Sequence, residues 1–225
     1  MKAKDRIIED CYKNYLRTSK NHNSDTWQIT SAQNIEFFKT VAGNNVLINS
    51  NIRGLAPIDN YPNTSYLKNN KDVILLNKFH KKLNFFELYK KNKFGNYYFS
   101  SSFLIQFNYF LKIKKYLNRN SKILIIGDGL GILSSFILLH FDCKVFLCDL
   151  PETLIYQEYY LKKNFKNLKT NYVANILDNI DLSSQVNFVN ADLIHEFNID
   201  LDMVVNTDSM SEMDKFTIDR YYKFI

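Results

Sequence analysis

Cysteine is rare in this 225-residue chain, limited to Cys11, Cys143 and Cys148. An odd, sparse set of this kind excludes a disulfide framework and fits a reducing, cytoplasmic setting. Cys143 and Cys148 lie beside or within the apolar run Lys144-Val-Phe-Leu-Cys148, so both are expected to be small buried hydrophobes. Histidine is nearly as scarce: His22, His80, His140 and His195 never reach a ligand spacing such as H-E-x-x-H, and no metal site is expected. No run approaches the roughly 18–20 apolar residues that a membrane span requires. Met1-Lys-Ala-Lys-Asp-Arg6 leads into no long apolar stretch, so no secretion signal is expected. The absence of a Gly-x-x-x-x-Gly-Lys-Ser/Thr phosphate loop argues against a nucleoside triphosphatase. There is no internal repeat.

Apolar residues, by contrast, are plentiful. A hydrophobic content of 46% with 15% aromatics supports a packed core and excludes global disorder. The net charge of +6 and isoelectric point near 9.0 would allow an acidic partner. The lysines, however, are scattered among Asn, Tyr and Ile, which reads as compositional bias, and no nucleic-acid partner is expected.

The chain reads as two regions. Residues 1–95 are mainly helical and are the expected substrate lid. Apolar spacing predicts helices over 3–18 and, from Ser31 to Gly43, over 31–42. An Asn-rich irregular stretch with Gly54, Pro57 and Pro62 runs over 43–70, followed by helical patterns over 71–92 and 100–118. Residues 96–225 change character. Short apolar strands are predicted at 122–126, 144–148, 185–189 and 202–205. They alternate with helices over 132–140, from Pro151 to about Phe165, and from Asp214 or Lys215 to the end. This alternation predicts an α/β fold with a doubly wound parallel sheet.

Three of the chain's six glycines fall at Gly127, Gly129 and Gly131, where the first of these strands turns into a helix. Glycine adopts the backbone angles such a turn needs, and its bare backbone lets a ligand approach the helix start. A tight turn without a ligand would also use glycine. Asp149 lies 22 residues after Gly127 and closes the second strand. There a carboxylate can accept the hydroxyls of an adenosine ribose, or cap the helix at Pro151. A dinucleotide fingerprint, Gly-x-Gly-x-x-Gly, would require glycine at Ile132. A Gly-x-Gly-x-Gly loop suits a ligand without a pyrophosphate, favouring S-adenosylmethionine over NAD.

Ile123 to Gly131, Cys148-Asp-Leu-Pro-Glu-Thr-Leu154 and Asn206-Thr-Asp-Ser-Met-Ser-Glu-Met213 together resemble the sugar O-methyltransferases. These are class I S-adenosylmethionine-dependent enzymes of bacterial surface-polysaccharide gene sets, and the resemblance covers about residues 95–225. It implies a Rossmann-like methyltransferase domain in which Gly127, Gly129 and Gly131 hold the methionine part of the cofactor. By the same resemblance Asp149 binds the ribose, Leu150 lies beside the adenine, and Asn206 faces the methyl group. Asp192 is placed near the adenine, or is a solvated loop acid. Ser209 and Glu212 fall where a sugar or glycan acceptor would sit. Glu212 is the candidate base, its alternative being a surface or helix-capping acid near Lys215. The family carries an acid two residues before the first glycine; here that residue is Ile125, and Asp128 is expected to compensate in part at the cofactor. Class I methyltransferases have seven strands, and four are predicted here, so the expected sheet lacks the carboxy-terminal strands. Three rivals remain. A base-methylating enzyme would carry Asn/Asp-Pro-Pro-Tyr/Phe in place of Asn206-Thr-Asp-Ser209. An NAD-dependent sugar-modifying oxidoreductase would also use Asp149. The third is a non-catalytic remnant.

Overall fold

A computed structural model describes residues 6–18, 35, 38, 70–83, 89–91, 97–99 and 101–225. Helix α1 (Arg6–Leu16) buries Ile8, Cys11 and Tyr15, the spacing of a one-sided apolar stripe. Of the helix expected over 31–42, Ile35 and Phe38 are described, both helical and buried. The irregular stretch expected over 43–70 lies outside the described residues up to its last position, where Asn70 opens α2 (Asn70–His80). The pattern read as one helix over 71–92 divides. Helix α2 ends at His80, and β1 (Tyr89–Lys91) pairs antiparallel with β2 (Tyr97–Phe99), Tyr89 opposite Phe99. Aromatic residues suit paired strands, and here they override a helical spacing. Helix α3 (Ser101–Ile113) then tightens into a 3-10 turn over Lys114–Tyr116.

The second region contains β3 (Lys122–Ile126), α4 (Ile132–His140), β4 (Lys144–Asp149) and α5 (Pro151–Asn164). It continues through β5 (Thr170–Val173), β6 (Val186–Asn190), β7 (Met203–Asn206) and α6 (Lys215–Phe224). The five strands form one sheet in the order β5-β6-β4-β3-β7, parallel throughout. This is an α/β architecture consistent with a Rossmann-like fold. The sequence predicts four of these strands; β5 is additional. Its Thr170-Asn-Tyr-Val segment is short and half polar, because it sits at the sheet edge and buries only its last two residues.

The inner strands β3 and β4 carry continuous apolar runs because both faces are covered, and β6 adds two buried asparagines, Asn187 and Asn190. Ile123, Ile125, Val145, Leu147 and Phe188 face α3, α4 and α5, while Leu124, Ile126, Phe146, Cys148 and Val189 face the side of α6 and Tyr221. Phe136 of α4 anchors the first face: its ring centre lies 5.2 Å from Phe79 and Phe103 and 5.4 Å from Phe107. The Phe79 pair is stacked and the other two are edge-to-face, and both arrangements add to the burial of the rings themselves. Helix α1 docks on α5 through polar groups as well. Asn14 Nδ2 donates to Glu158 Oε1 at 2.7 Å, and Lys162 Nζ reaches the same oxygen at 2.6 Å. Glu158 is almost wholly buried, and burial raises its pKa against the pull of Lys162 and Asn14. Such a carboxylate is tolerable inside only because it is paired.

Candidate functional site at the carboxyl end of the sheet

Because the strands are parallel, the segments that follow β3, β4, β6 and β7 all emerge at one end of the sheet. Strands β4 and β6 lie on one side of β3 and β7 on the other. The chain reverses its winding there, and ligands of open α/β sheets bind in the crevice at such a switch point. The glycine loop leaves β3 at this place.

Gly127 and Gly131 have φ of 77° and 75°, angles that side-chain-bearing residues rarely hold. Gly127 is also crowded, since a Cβ there would stand 2.3 Å from Ser209 Cβ and Oγ. The loop is therefore glycine partly for the chain's own packing. Gly131 is the N-cap of α4 and lies against α5, near Leu161 and Gln157.

Asp128, expected to contact the cofactor, instead faces the protein. It is 2% exposed, and its two carboxylate oxygens accept the N–H groups of Leu133 at 3.0 Å and Ser134 at 2.9 Å. The sequence reading is corrected here: Asp128 caps α4, because the first turn of a helix has N–H groups without partners. Burial raises its pKa to about 6 against the opposing hydrogen bonds of Ser134 and Leu133.

Asp149 ends β4 beside this loop. Its Oδ1 accepts the Leu150 N–H at 2.8 Å and its Oδ2 the Gln157 amide at 2.7 Å, and the Gly129 N–H lies near enough to favour its charged form. It does not cap α5, whose N-cap is Leu150, followed by Pro151 in the first turn. Burial pushes the Asp149 carboxyl up to about 7, opposed by the Leu150, Gln157 and Gly129 donors and reinforced by the negative charge of Asp128. Asn190 pairs with Asp149 in the β4–β6 register and so lies on the same face of the sheet. Two buried polar atoms beside Asp149, Gln157 Oε1 and Asn190 Nδ2, have no hydrogen-bond partner among the described residues.

The segment after β7 closes the other side. Asn206 ends that strand next to Ile126, and its Nδ2 donates to Ser209 Oγ at 3.4 Å. Thr207 Oγ1 donates to Gly127 O, and Ser209 Oγ donates to Ile126 O at 3.2 Å. Ser209 is thus turned toward the glycine loop. Asp208 is the one non-glycine residue with positive φ, 71°, among the described residues. Its carboxylate accepts the Tyr109 hydroxyl of α3 at 2.9 and 3.0 Å, and burial and that carboxylate raise the Tyr109 pKa. Glu212 is exposed at the end of the 3-10 turn Ser209–Glu212. Asp192 follows β6, where its N–H donates to Asn190 Oδ1 at 3.2 Å, and its charge acts on Cys148 and Tyr221 of the α6 face.

The structure therefore brings Gly127, Gly129, Gly131, Asp149, Leu150 and Asn206 to the carboxyl end of the sheet, with Glu212 exposed in the segment after β7. Sequence reasoning missed Gln157, Asn190 and the Tyr109–Asp208 pair. Asp208 stood inside the Asn206–Met213 run, but nothing local marks the other three. Among the described residues no cluster of three or more His, Cys, Asp or Glu could hold a metal, and no helix is long and apolar enough to cross a membrane. Cys11, Cys143 and Cys148 are buried and free. Comparison with family models, with curated proteins and with solved structures finds no match to this chain.

Proposed function

We propose that this crevice binds S-adenosylmethionine and that the protein transfers its methyl group to a hydroxyl of a sugar or glycan, acting in the cytoplasm on a precursor of surface polysaccharide. The observation that carries the reading is the direction of Asp128. In a dinucleotide site the pyrophosphate rests on free N–H groups at the helix start. Here those of Leu133 and Ser134 are taken by the Asp128 carboxylate, whose charge also repels a phosphate. Asp149 still stands beside the loop, ready for a ribose. A seat for adenosine without a seat for pyrophosphate fits S-adenosylmethionine and weighs against NAD. The orphaned Gln157 Oε1 and Asn190 Nδ2 fit a polar ligand beside Asp149.

Bound there, the cofactor would supply an electrophilic methyl group on a sulfonium. The task of the chain is alignment of donor and acceptor in a site sheltered from water. Asp149 would hold the ribose, Leu150 would flank the adenine, and the glycine loop and Asn206 would orient the methionine end. Two carboxylates stand on the acceptor side. Glu212 is exposed, whereas Asp208 is held by Tyr109 in a strained backbone of the kind that gathers at functional sites. Either can take the proton of an acceptor hydroxyl, and the region before residue 96 would cover the acceptor. Calorimetric titration with S-adenosylhomocysteine and with NADH tests the reading: binding of the first and silence with the second are expected.

A further inference from the structure

Gln157 has no counterpart in the sequence-level account of the site, yet it is fully buried in the middle of α5. A buried amide is costly unless both ends are bonded. One end of Gln157 is: Nε2 donates to Asp149 Oδ2 at 2.7 Å across eight residues. The other, Oε1, has no partner among the described residues. An apolar side chain of the same length would fill this position at no such cost. Packing alone therefore does not account for Gln157; the bond to Asp149 does.

We infer that Gln157 is a positioning residue that aims Asp149 at the ligand and holds it in its ionised, hydroxyl-accepting form, an inference that rests on the adenosine-site reading above. A hydrogen bond donated to a carboxylate favours the charged state, and Gln157 makes it from the buried face of α5. The titratable groups around Asp149 are Asp128 from the glycine loop, Cys148 behind it on β4, and Tyr221 from α6. Burial pushes Cys148 up to about 12 and Tyr221 well above its usual range, so both stay neutral across neutral pH. Asp128, at about 6, is mostly charged by pH 7 and works against ionisation of Asp149. Gln157 opposes it.

The test is S-adenosylhomocysteine affinity, by calorimetry on the full chain, as a function of pH. Wild type should bind with a midpoint near the Asp149 value of about 7, more tightly on the alkaline side. Gln157→Met keeps length and helix propensity but cannot donate. Its midpoint should rise by about one unit, weakening binding about fivefold at pH 7 and about tenfold well below it, and by less than about twofold near pH 9, where Asp149 is charged in either protein. As a check that needs no substitution, the Gln157 side-chain amide resonance of the wild type should titrate with the same midpoint. Equal affinity and midpoint in wild type and Gln157→Met, or a loss that is the same at every pH, would overturn the positioning role. So would a Gln157 amide signal that ignores pH. Absence of any binding to wild type would instead overturn the adenosine-site reading, and the inference with it.

Discussion

Both carboxylate oxygens of Asp128 are taken by amides of the first turn of α4, and this decides how the loop can be used. The acid that looked available to a ligand serves the helix. Its replacement by alanine should cost about 0.5–2 kcal/mol, the usual range for a lost cap, read as a lower urea midpoint with unchanged slope. Gly127 answers to two constraints at once. Gly127→Ala meets both the φ of 77° and Ser209 at 2.3 Å, and should destabilise by more than the roughly 1–2 kcal/mol of the backbone term alone. Adding Ser209→Gly should recover the excess; a double variant no more stable than the single would show that Ser209 is not the obstacle. For Asp149 the expectation concerns ligand. Asp149→Asn should weaken S-adenosylhomocysteine binding at least tenfold, because the amide keeps one acceptor oxygen but loses the second and the negative charge. At this scale the sequence was informative where a residue's role is local. The glycine turn and the place of Asp149 at the end of β4 are legible from spacing, whereas Gln157 and Tyr109 make their bonds across the fold and carry no local signature. Asp128 turns inward because the Leu133 and Ser134 amides of the first turn of α4 need a partner, a demand that glycine spacing does not show.

Strands are legible in the sequence wherever both of their faces are buried. Lys122-Ile-Leu-Ile-Ile126 and Lys144-Val-Phe-Leu-Cys148 are continuous apolar runs, and both are central strands. Strand β5 was missed because an edge strand needs little apolar sequence, and the β1–β2 hairpin because Tyr89-Lys-Lys91 also suits a helix. On the other side of the sheet from α6, the elements are tied together by aromatic packing. Phe136→Ala, at a fully buried position touching Phe79, Phe103 and Phe107, should cost about 3–5 kcal/mol, measurable by denaturant titration. A cost near zero would mean that α2 and α3 do not rest on α4. Helix α1 reaches the site indirectly. Asn14 holds Glu158, and the preceding residue of α5 is Gln157, which holds Asp149.

The whole molecule should show the same chemistry in its stability. Asp128 and Asp149 both have folded-state pKa values raised by burial, to about 6 and about 7. Between about pH 4 and those values the folded chain keeps protons that the unfolded chain has released, so their contribution to stability falls as pH rises through this window. If Asp149 holds the proposed ligand, its affinity should run the other way, increasing as the carboxylate ionises. A ligand that binds only the folded state at a hundred times its Kd adds about 2.7 kcal/mol, which for a chain of this size is roughly 5–10 °C in melting temperature. The central claim is that the crevice holds adenosine without a pyrophosphate seat. It is tested most directly by calorimetry on the wild-type chain near pH 8, titrating S-adenosylhomocysteine and NADH in parallel. Saturable one-to-one binding of S-adenosylhomocysteine with no heat from NADH is the predicted result; binding of NADH, or of neither, would contradict it.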